Sequence, residues 1–274
     1  MSKAVAGKKR ASPGAEEEKN AFDVEITEEV NKKLEDVGRD ILRAELANDR
    51  ASHLRLAPVY AKRREYVKTV PKFWPVALMN SPTFSVHALH AEDRRALLAL
   101  EDVWVERDPV ESRAFTLEFY FGENPFFSDK VLKKVYKFMV PSVRKDETPD
   151  GNGITESMLE FDWEKDVVAQ ATKISWKSDA VNLTKLYPRV IDDEDVSDMG
   201  SFFNFFEHDA DTYDIGLVIA NDIYPEAIDW FTGKASEVMD MSDIEEDSED
   251  EEDDDDDAAE IDLEKPEPKK QKRT

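Results

Sequence analysis

Between Thr27 and Val70, apolar residues fall at Val30, Leu34, Val37 and Ile41, with charged residues between them. This 4-3-4 spacing predicts a long helix carrying one apolar seam. The seam continues weakly through Ala44, Leu46, Ala47, Ala51 and Leu54. Thr27 is the expected N-cap, and Glu28 and Glu29 suit the positive end of the helix dipole. Pro58 is expected to kink the helix or interrupt it briefly. An apolar seam on so long a helix predicts pairing with a second copy; packing against the chain's own domain is the alternative. Further on, Phe73-Trp74 forms an aromatic anchor, and Ser81-Pro82 reads as an N-cap with a first-turn proline. Val86, Leu89, Leu97 and Leu100 supply the apolar faces of short helices.

The period then changes from helical to alternating. Val103 and Val105 begin it. In residues 113–121, Phe115, Leu117, Phe119 and Phe121 alternate with Thr116, Glu118 and Tyr120, a strong strand pattern. Residues 131–140 read as a second strand after the turn GENP (122–125), and residues 145–153 as a loop between strands. Leu159, Phe161 and Trp163 alternate with acids and predict a third strand; Lys173 to Lys177 predicts a fourth. Short connections favour an antiparallel meander with one buried face and one wet face. Residues 179–200 read as a mobile loop, SFFNFF (201–206) begins an aromatic helical segment, and residues 216–231 read as helical up to the region of Pro225. The fold class is therefore α+β.

Charge refines this layout. The 274 residues carry 63 Asp+Glu against 37 Lys+Arg, a net charge of −26. Residues 237–264 hold 18 acidic and no basic residues, whereas 265–274 hold five basic and one acidic. Like-charge repulsion with few apolar residues predicts that the acidic segment stays disordered. Four regions follow: a disordered N-terminal tail (1–23), a long dimerisation helix (24–70), an α+β domain (71–236), and a disordered acidic tail with a terminal basic cluster (237–274). Lys269, Lys270, Lys272 and Arg273, echoed by Lys8, Lys9 and Arg10, read as nuclear-import signals. The expected location is the nucleus, with shuttling to the cytoplasm left open.

Little catalytic chemistry is legible. The chain has no cysteine, which excludes thiol catalysis, disulfide scaffolds and Cys-based zinc sites. There is no P-loop and no GxSxG elbow. His87 and His90 stand three apart but lack a third ligand and read as surface-helix residues. No cofactor, metal, small-molecule substrate or enzymatic activity is expected. No stretch of 18 apolar residues occurs, so no membrane span is expected. A polyanion of this kind suits a polycationic partner. Lys130, Lys133, Lys134 and Lys137 are the exception; they read as a solvated sheet face or as a weak DNA contact.

Several segments resemble the nucleosome assembly protein family. FYFGENPFFSDKVLKKVY (119–136) is similar to its strand–ENPYF turn–strand signature. PKFWPVALMNSP (71–82) resembles its IPxFWxxxxxNHP segment, with Ser81 where His is usual. AEDRRALLALEDVWVE (91–106) resembles its acidic-start helix and strand. SFFNFFEHD (201–209) resembles its SFFxWF element, with Phe205 where Trp is common. The resemblance covers about residues 24–264 and leans to the SET/template-activating-factor branch. It implies a homodimer joined by the long helices through Val30, Leu34, Val37 and Ile41. It also implies an "earmuff" domain with a four-stranded antiparallel sheet under helices, and a histone chaperone active in nucleosome assembly and disassembly. Core histones would be the partner. Glu207, Asp209, Asp211, Asp214 and Asp222 would face them, and Asp250, Glu251 and Glu252 of the tail would add avidity. A phosphatase inhibitor or chromatin scaffold of the SET type is the alternative.

Overall fold

The computed structural model describes residues 24, 26–109, 111–139, 147–192, 195–211 and 213–236. The two predicted tails, with Asp250, Glu251, Glu252, Lys269, Lys270, Lys272 and Arg273, lie outside the described residues.

Helix α1 (Glu28–Val67) is a single element of 40 residues, about 60 Å long at 1.5 Å per residue. Thr27 starts it as expected: its hydroxyl accepts from Val30 N at 3.4 Å and its carbonyl from Asn31 N at 2.9 Å. Pro58 lies inside the helix, so of the kink or interruption expected there the interruption does not occur. Proline deprives only the carbonyl of Leu54 of its donor. Leu54 is 78% exposed, so water reaches that turn.

The chain divides into two compact units. The first comprises residues up to Arg63, Asp108–Ala114 and Phe138–Val168. In it, Leu46 packs with Ile154 and Met158. Arg39 reaches Glu156 and Glu160 at 3.2 and 3.5 Å, Arg43 reaches Asp150 at 3.3 Å, and Arg50 donates to the Gly153 carbonyl at 2.6 Å. Asp150 shapes the turn beneath, accepting from Asn152 N and Ile154 N at 2.7 and 3.0 Å. Arg113 lies 3.8 Å above the Phe161 ring and pairs with the buried Glu111 at 2.6 Å.

The strand expected at Leu159–Trp163 is absent. Helical turns α5 (Glu156–Leu159) and α6 (Trp163–Asp166) stand there instead. Asp162 caps α6 by accepting from Glu164 N at 3.1 Å, a local side-chain bond that outcompetes a strand ladder.

The second unit holds Arg64–Arg107, Phe115–Lys137 and residues from Ala169 on. It contains α2 (Phe73–Asn80), α3 (Pro82–Ser85), α4 (Ala91–Leu97), β1 (Leu100–Arg107), β2 (Phe115–Phe121) and β3 (Val131–Phe138). With β4 (Val167–Gln170) these strands form one four-stranded sheet in the order β1-β2-β3-β4. Both β1–β2 and β2–β3 are antiparallel, in registers such as Val105↔Leu117 and Glu118↔Lys133. The sheet has the expected number of strands, but two differ: β1 precedes the first strong pattern, and β4 follows α6. Lys173–Lys177 forms only an isolated bridge, Phe127↔Trp176. There Ser175 N and Ile174 N donate to the Asp129 and Glu207 side chains, which removes donors a ladder would use.

Strand β2 buries every second residue, and the aromatic run at 202–206 covers that face. Phe119 meets Phe206 edge-on at 5.2 Å, and Phe127 lies 5.4 Å from Phe203. Asn124 fixes the 122–125 turn by accepting from Phe126 N and Phe127 N at 2.9 and 3.0 Å. Ser81 caps α3, accepting from Phe84 N at 3.4 Å. Buried Asp93 on α4 accepts from Ser201 Oγ and Phe202 N; burial pushes its carboxyl up, and these two bonds pull it back.

Residues 179–200 are not an open loop. They fold into α7 (Leu183–Leu186), capped by Asn182, and a hairpin of β5 (Val190–Asp192) and β6 (Asp195–Asp198). Leu183 is fully buried and anchors this stretch. Then follow α8 (Asn204–Glu207), α9 (Ile215–Val218), a π turn (Ile219–Ile223) and α10 (Ala227–Thr232). Asn80 of α2 donates to the Trp230 carbonyl at 2.8 Å.

Phe119→Ala removes a fully buried ring from the sheet face. It should cost about 3–5 kcal/mol, read as a lowered urea midpoint with the slope unchanged; a loss below about 1 kcal/mol would contradict this packing.

Candidate functional site

The five core carboxylates singled out in the sequence all lie in the second unit, but they do not share one role. Glu207, at the end of α8, is half-buried and occupied. Its Oε1 accepts from Ile174 N at 3.1 Å and Trp176 Nε1 at 3.3 Å, and its Oε2 from Thr184 Oγ1 at 2.6 Å. It holds the 174–184 segment in place.

Asp211 is likewise half-buried. It accepts from Ile215 N at 3.1 Å and Gly216 N at 2.8 Å, satisfying open donors at the start of α9, and from the Tyr136 hydroxyl. Burial first, then the Asp211 charge, pushes the Tyr136 phenol above its ordinary range, so it stays a donor. Gly216 permits this approach, because a Cβ there would run into the Tyr136 ring.

Asp209 is exposed and accepts no hydrogen bond among the described residues. Asp214 is exposed and stands in the left-handed region at φ 52; it caps α9 through its backbone carbonyl, which accepts from Val218 N at 3.0 Å, and not through its side chain. Asp222, on the π turn, is half-buried, and burial pushes its carboxyl up. The structure thus gathers residues 207–214 into one segment, of which Asp209 and Asp214 face outward.

Beneath that segment sits Lys134, at 0% exposure. The alternation of β3 turns Leu132, Lys134 and Tyr136 inward and Lys133 and Lys137 outward. Reading Lys134 as a solvated or DNA-facing residue is therefore corrected: period two puts it on the core face. Lys134 donates to the His208 carbonyl and lies 5.3 Å from the Phe205 ring. Burial pushes its ammonium down to about 8, against the opposing pull of Asp211 and Asp209. Lys133 instead pairs across the strands with Glu118, and Lys130 and Lys137 are exposed.

Sequence reasoning also misses Arg189 and misplaces His87. Both line a small cavity with Asp211 and Tyr213, and burial lowers the pKa of each. His87 lies in the turn after α3 and His90 at the N-cap of α4, so the pair is not on a helix surface. Strand periodicity could have flagged Lys134; nothing in the local sequence marks Arg189.

On α1, Val30, Leu34, Val37 and Ile41 are all exposed, Leu34 at 57%. Among the described residues, no group of three or more His, Asp or Glu could hold a metal ion, and no helix is long and apolar enough to cross a membrane.

A family model described as nucleosome assembly protein (NAP) matches residues 16–234. Nucleosome assembly protein 1;3 of Oryza sativa subsp. indica is 28% identical over 242 residues, covering 77% of each chain. Protein SET of Drosophila melanogaster is 30% identical over 208 residues, covering 74% of this chain and 69% of its own. A crystal structure of a Ccp1 mutant aligns with a TM-score of 0.56 at 20% identity, covering 77% of this chain and 98% of that one; this likeness is one of fold.

The buried lysine gives a pH test. Unfolded, Lys134 titrates near 10.5; folded, near 8. Between these values the unfolded chain holds a proton the folded chain has released, so this group makes stability rise with pH. In Lys134→Met that rise disappears, at most about 1.4 kcal/mol per pH unit. Urea midpoints at pH 8, 9 and 10 should show the gap between wild type and variant changing with pH; a constant gap would refute the assignment.

Proposed function

Since this chain belongs to the nucleosome assembly protein family, we propose that it is a histone chaperone: a protein that binds core histones through exposed carboxylates and yields them to DNA, without turnover of a substrate. The observation that carries this reading is the family match across residues 16–234, within which the acidic surface segment lies. Histones are polycations that bind DNA phosphate nonspecifically. A polyanion can shield them and must still release them. Many weak contacts meet both needs, because each is screened beyond a Debye length of about 8 Å at physiological salt.

Within the core, Asp209 and Asp214 are proposed as direct contacts, with Asp222 at the rim. Glu207 and Asp211 serve as supports, since internal donors already occupy their oxygens. Asp250, Glu251 and Glu252 are proposed to add avidity from the acidic tail. Val30, Leu34, Val37 and Ile41 are proposed to pair two copies into a homodimer, which doubles the carboxylate surface on one frame. The terminal cluster Lys269, Lys270, Lys272 and Arg273 is proposed to direct the protein to the nucleus. Lys130 and Lys137, exposed beside β3, remain the proposed point of weak DNA contact.

Two measurements test this reading. Asp209→Lys with Asp214→Asn, which keeps a residue suited to the left-handed backbone at 214, should weaken histone binding by roughly tenfold at physiological salt, about 1.4 kcal/mol, while leaving the thermal midpoint in place; unchanged affinity would move the docking surface elsewhere. Val37→Asp with Ile41→Asp should give monomers by light scattering; an unchanged dimer mass would place the interface off this seam.

A further inference from the structure

Beside the acidic segment, the second unit leaves a strip of apolar side chains uncovered. Leu89 is 64% exposed, Ile191 61% and Tyr213 46%, and Val86 and Val190 are exposed as well. They come from three stretches of chain: the turn between α3 and α4, strand β5, and the approach to α9. Contacts join them. The His87 ring, two residues from Leu89, meets the Tyr213 ring at 5.7 Å. The Tyr213 hydroxyl donates to the Val196 carbonyl at 3.2 Å, and Val196 is the cross-strand partner of Ile191. On the other side of Leu89, His90 stacks on Tyr187 at 3.9 Å. The strip is also preformed. Phe84 and Ala88, on either side of Val86, are fully buried, so the turn that presents Val86 and Leu89 is anchored from below.

The charge beside the strip names the sign of what fits it. Asp192 and Asp198 of the β5–β6 hairpin and Asp209 and Asp214 of the acidic segment are all exposed. Arg189, which shares a small cavity with His87 and Tyr213, is half-buried and donates to the Ala210 carbonyl at 3.4 Å. An apolar patch with a polar rim is the usual form of a protein-binding surface. Its acidic rim suits a cationic partner. Carboxylates alone attract any polycation, and salt screens that attraction. Apolar burial is not screened. A surface that combines the two can distinguish a cationic protein from a bare polycation, because only the protein brings an apolar side chain to the strip.

We propose that the strip formed by Val86, Leu89, Tyr213 and Ile191 is the apolar anchor of the histone-docking surface. It seats an apolar side chain carried by a cationic segment of a core histone pair, while Asp209 and Asp214 take the flanking Lys or Arg. The carboxylates supply attraction and a fast encounter; the strip supplies selectivity and slows release. Few residues are needed, since a small central group carries most of the energy of an interface. The His87 and Tyr213 rings, already in contact, lose little freedom when covered. The proposal rests on the chaperone reading above and adds the element that tells a histone from other polycations.

Leu89→Ser with Ile191→Ser removes the two most exposed side chains of the strip and alters no carboxylate. Full-length wild type and variant are titrated with a core histone pair and, separately, with polylysine, across a salt series. Light scattering gives the mass of each. The expected result is a several-fold loss of histone affinity at every salt concentration, with polylysine affinity and both salt slopes unchanged. Urea midpoints identify a variant that fails to fold; Leu89→Ser alone, on the anchored turn, then gives the same comparison. Unchanged histone affinity would overturn the proposal. So would an equal loss for histones and polylysine, which would mean that the substitutions act on the carboxylate surface as a whole. A lowered mass with histone binding intact would assign the strip to contact between copies and overturn the anchor. Wild type that ignores histones while binding polylysine would remove the chaperone reading, and the anchor with it.

Discussion

Like-charge repulsion is the force this fold has to manage, with 63 acidic side chains set against 37 basic ones. The core handles it by committing a subset of carboxylates to internal donors. Asp93 joins α4 to the 201–202 turn, Asp102 holds Trp74 Nε1 at 3.1 Å and pairs with Arg64, and Glu111 takes Arg113. Glu207 and Asp211 hold the aromatic segment and α9. A buried carboxylate survives only when such donors offset its desolvation. Asp209 and Asp214, by contrast, lie exposed at the surface.

This division explains why the carboxylates of the 207–214 segment do not all face outward. Neighbours in sequence take opposite roles: Glu207 faces three internal donors and Asp209 faces solvent. The basic groups follow the same division. Lys134, set inside beneath Asp211, compensates charge in the core, while Lys133 lies outside on Glu118. Along α1, by contrast, charge and apolar surface are both left exposed. The seam at Val30, Leu34, Val37 and Ile41 stays exposed among the described residues.

The sequence made the large features legible because they rest on long repeats. The 4-3-4 spacing from Val30 to Ile41 marked α1, and the period-two run from Phe115 to Phe121 marked β2. The motifs at 71–82, 119–136 and 201–209 identified the family. What it concealed rests on single side-chain bonds. Asp162 capping α6 removed the strand drawn through Phe161, and Asp129 and Glu207 took the donors of the strand drawn through Ile174. The burial of Leu183 ordered a stretch whose acidic composition read as loose. The site followed the same rule: the segment 207–214 was legible, whereas the split between supporting and outward carboxylates depends on Tyr136, Trp176 and Thr184, which are distant in sequence.

In the proposed function a folded acidic surface, and not the tail alone, recognises histones. The direct test is a binding titration of separate histone pairs against the full chain and against a chain ending at Ser236, across a salt series. Retained binding by the shortened chain at physiological salt, weaker than that of the full chain and falling for both as salt rises, is the outcome the account requires. A shortened chain that stays folded yet ignores every histone pair at that salt would contradict it.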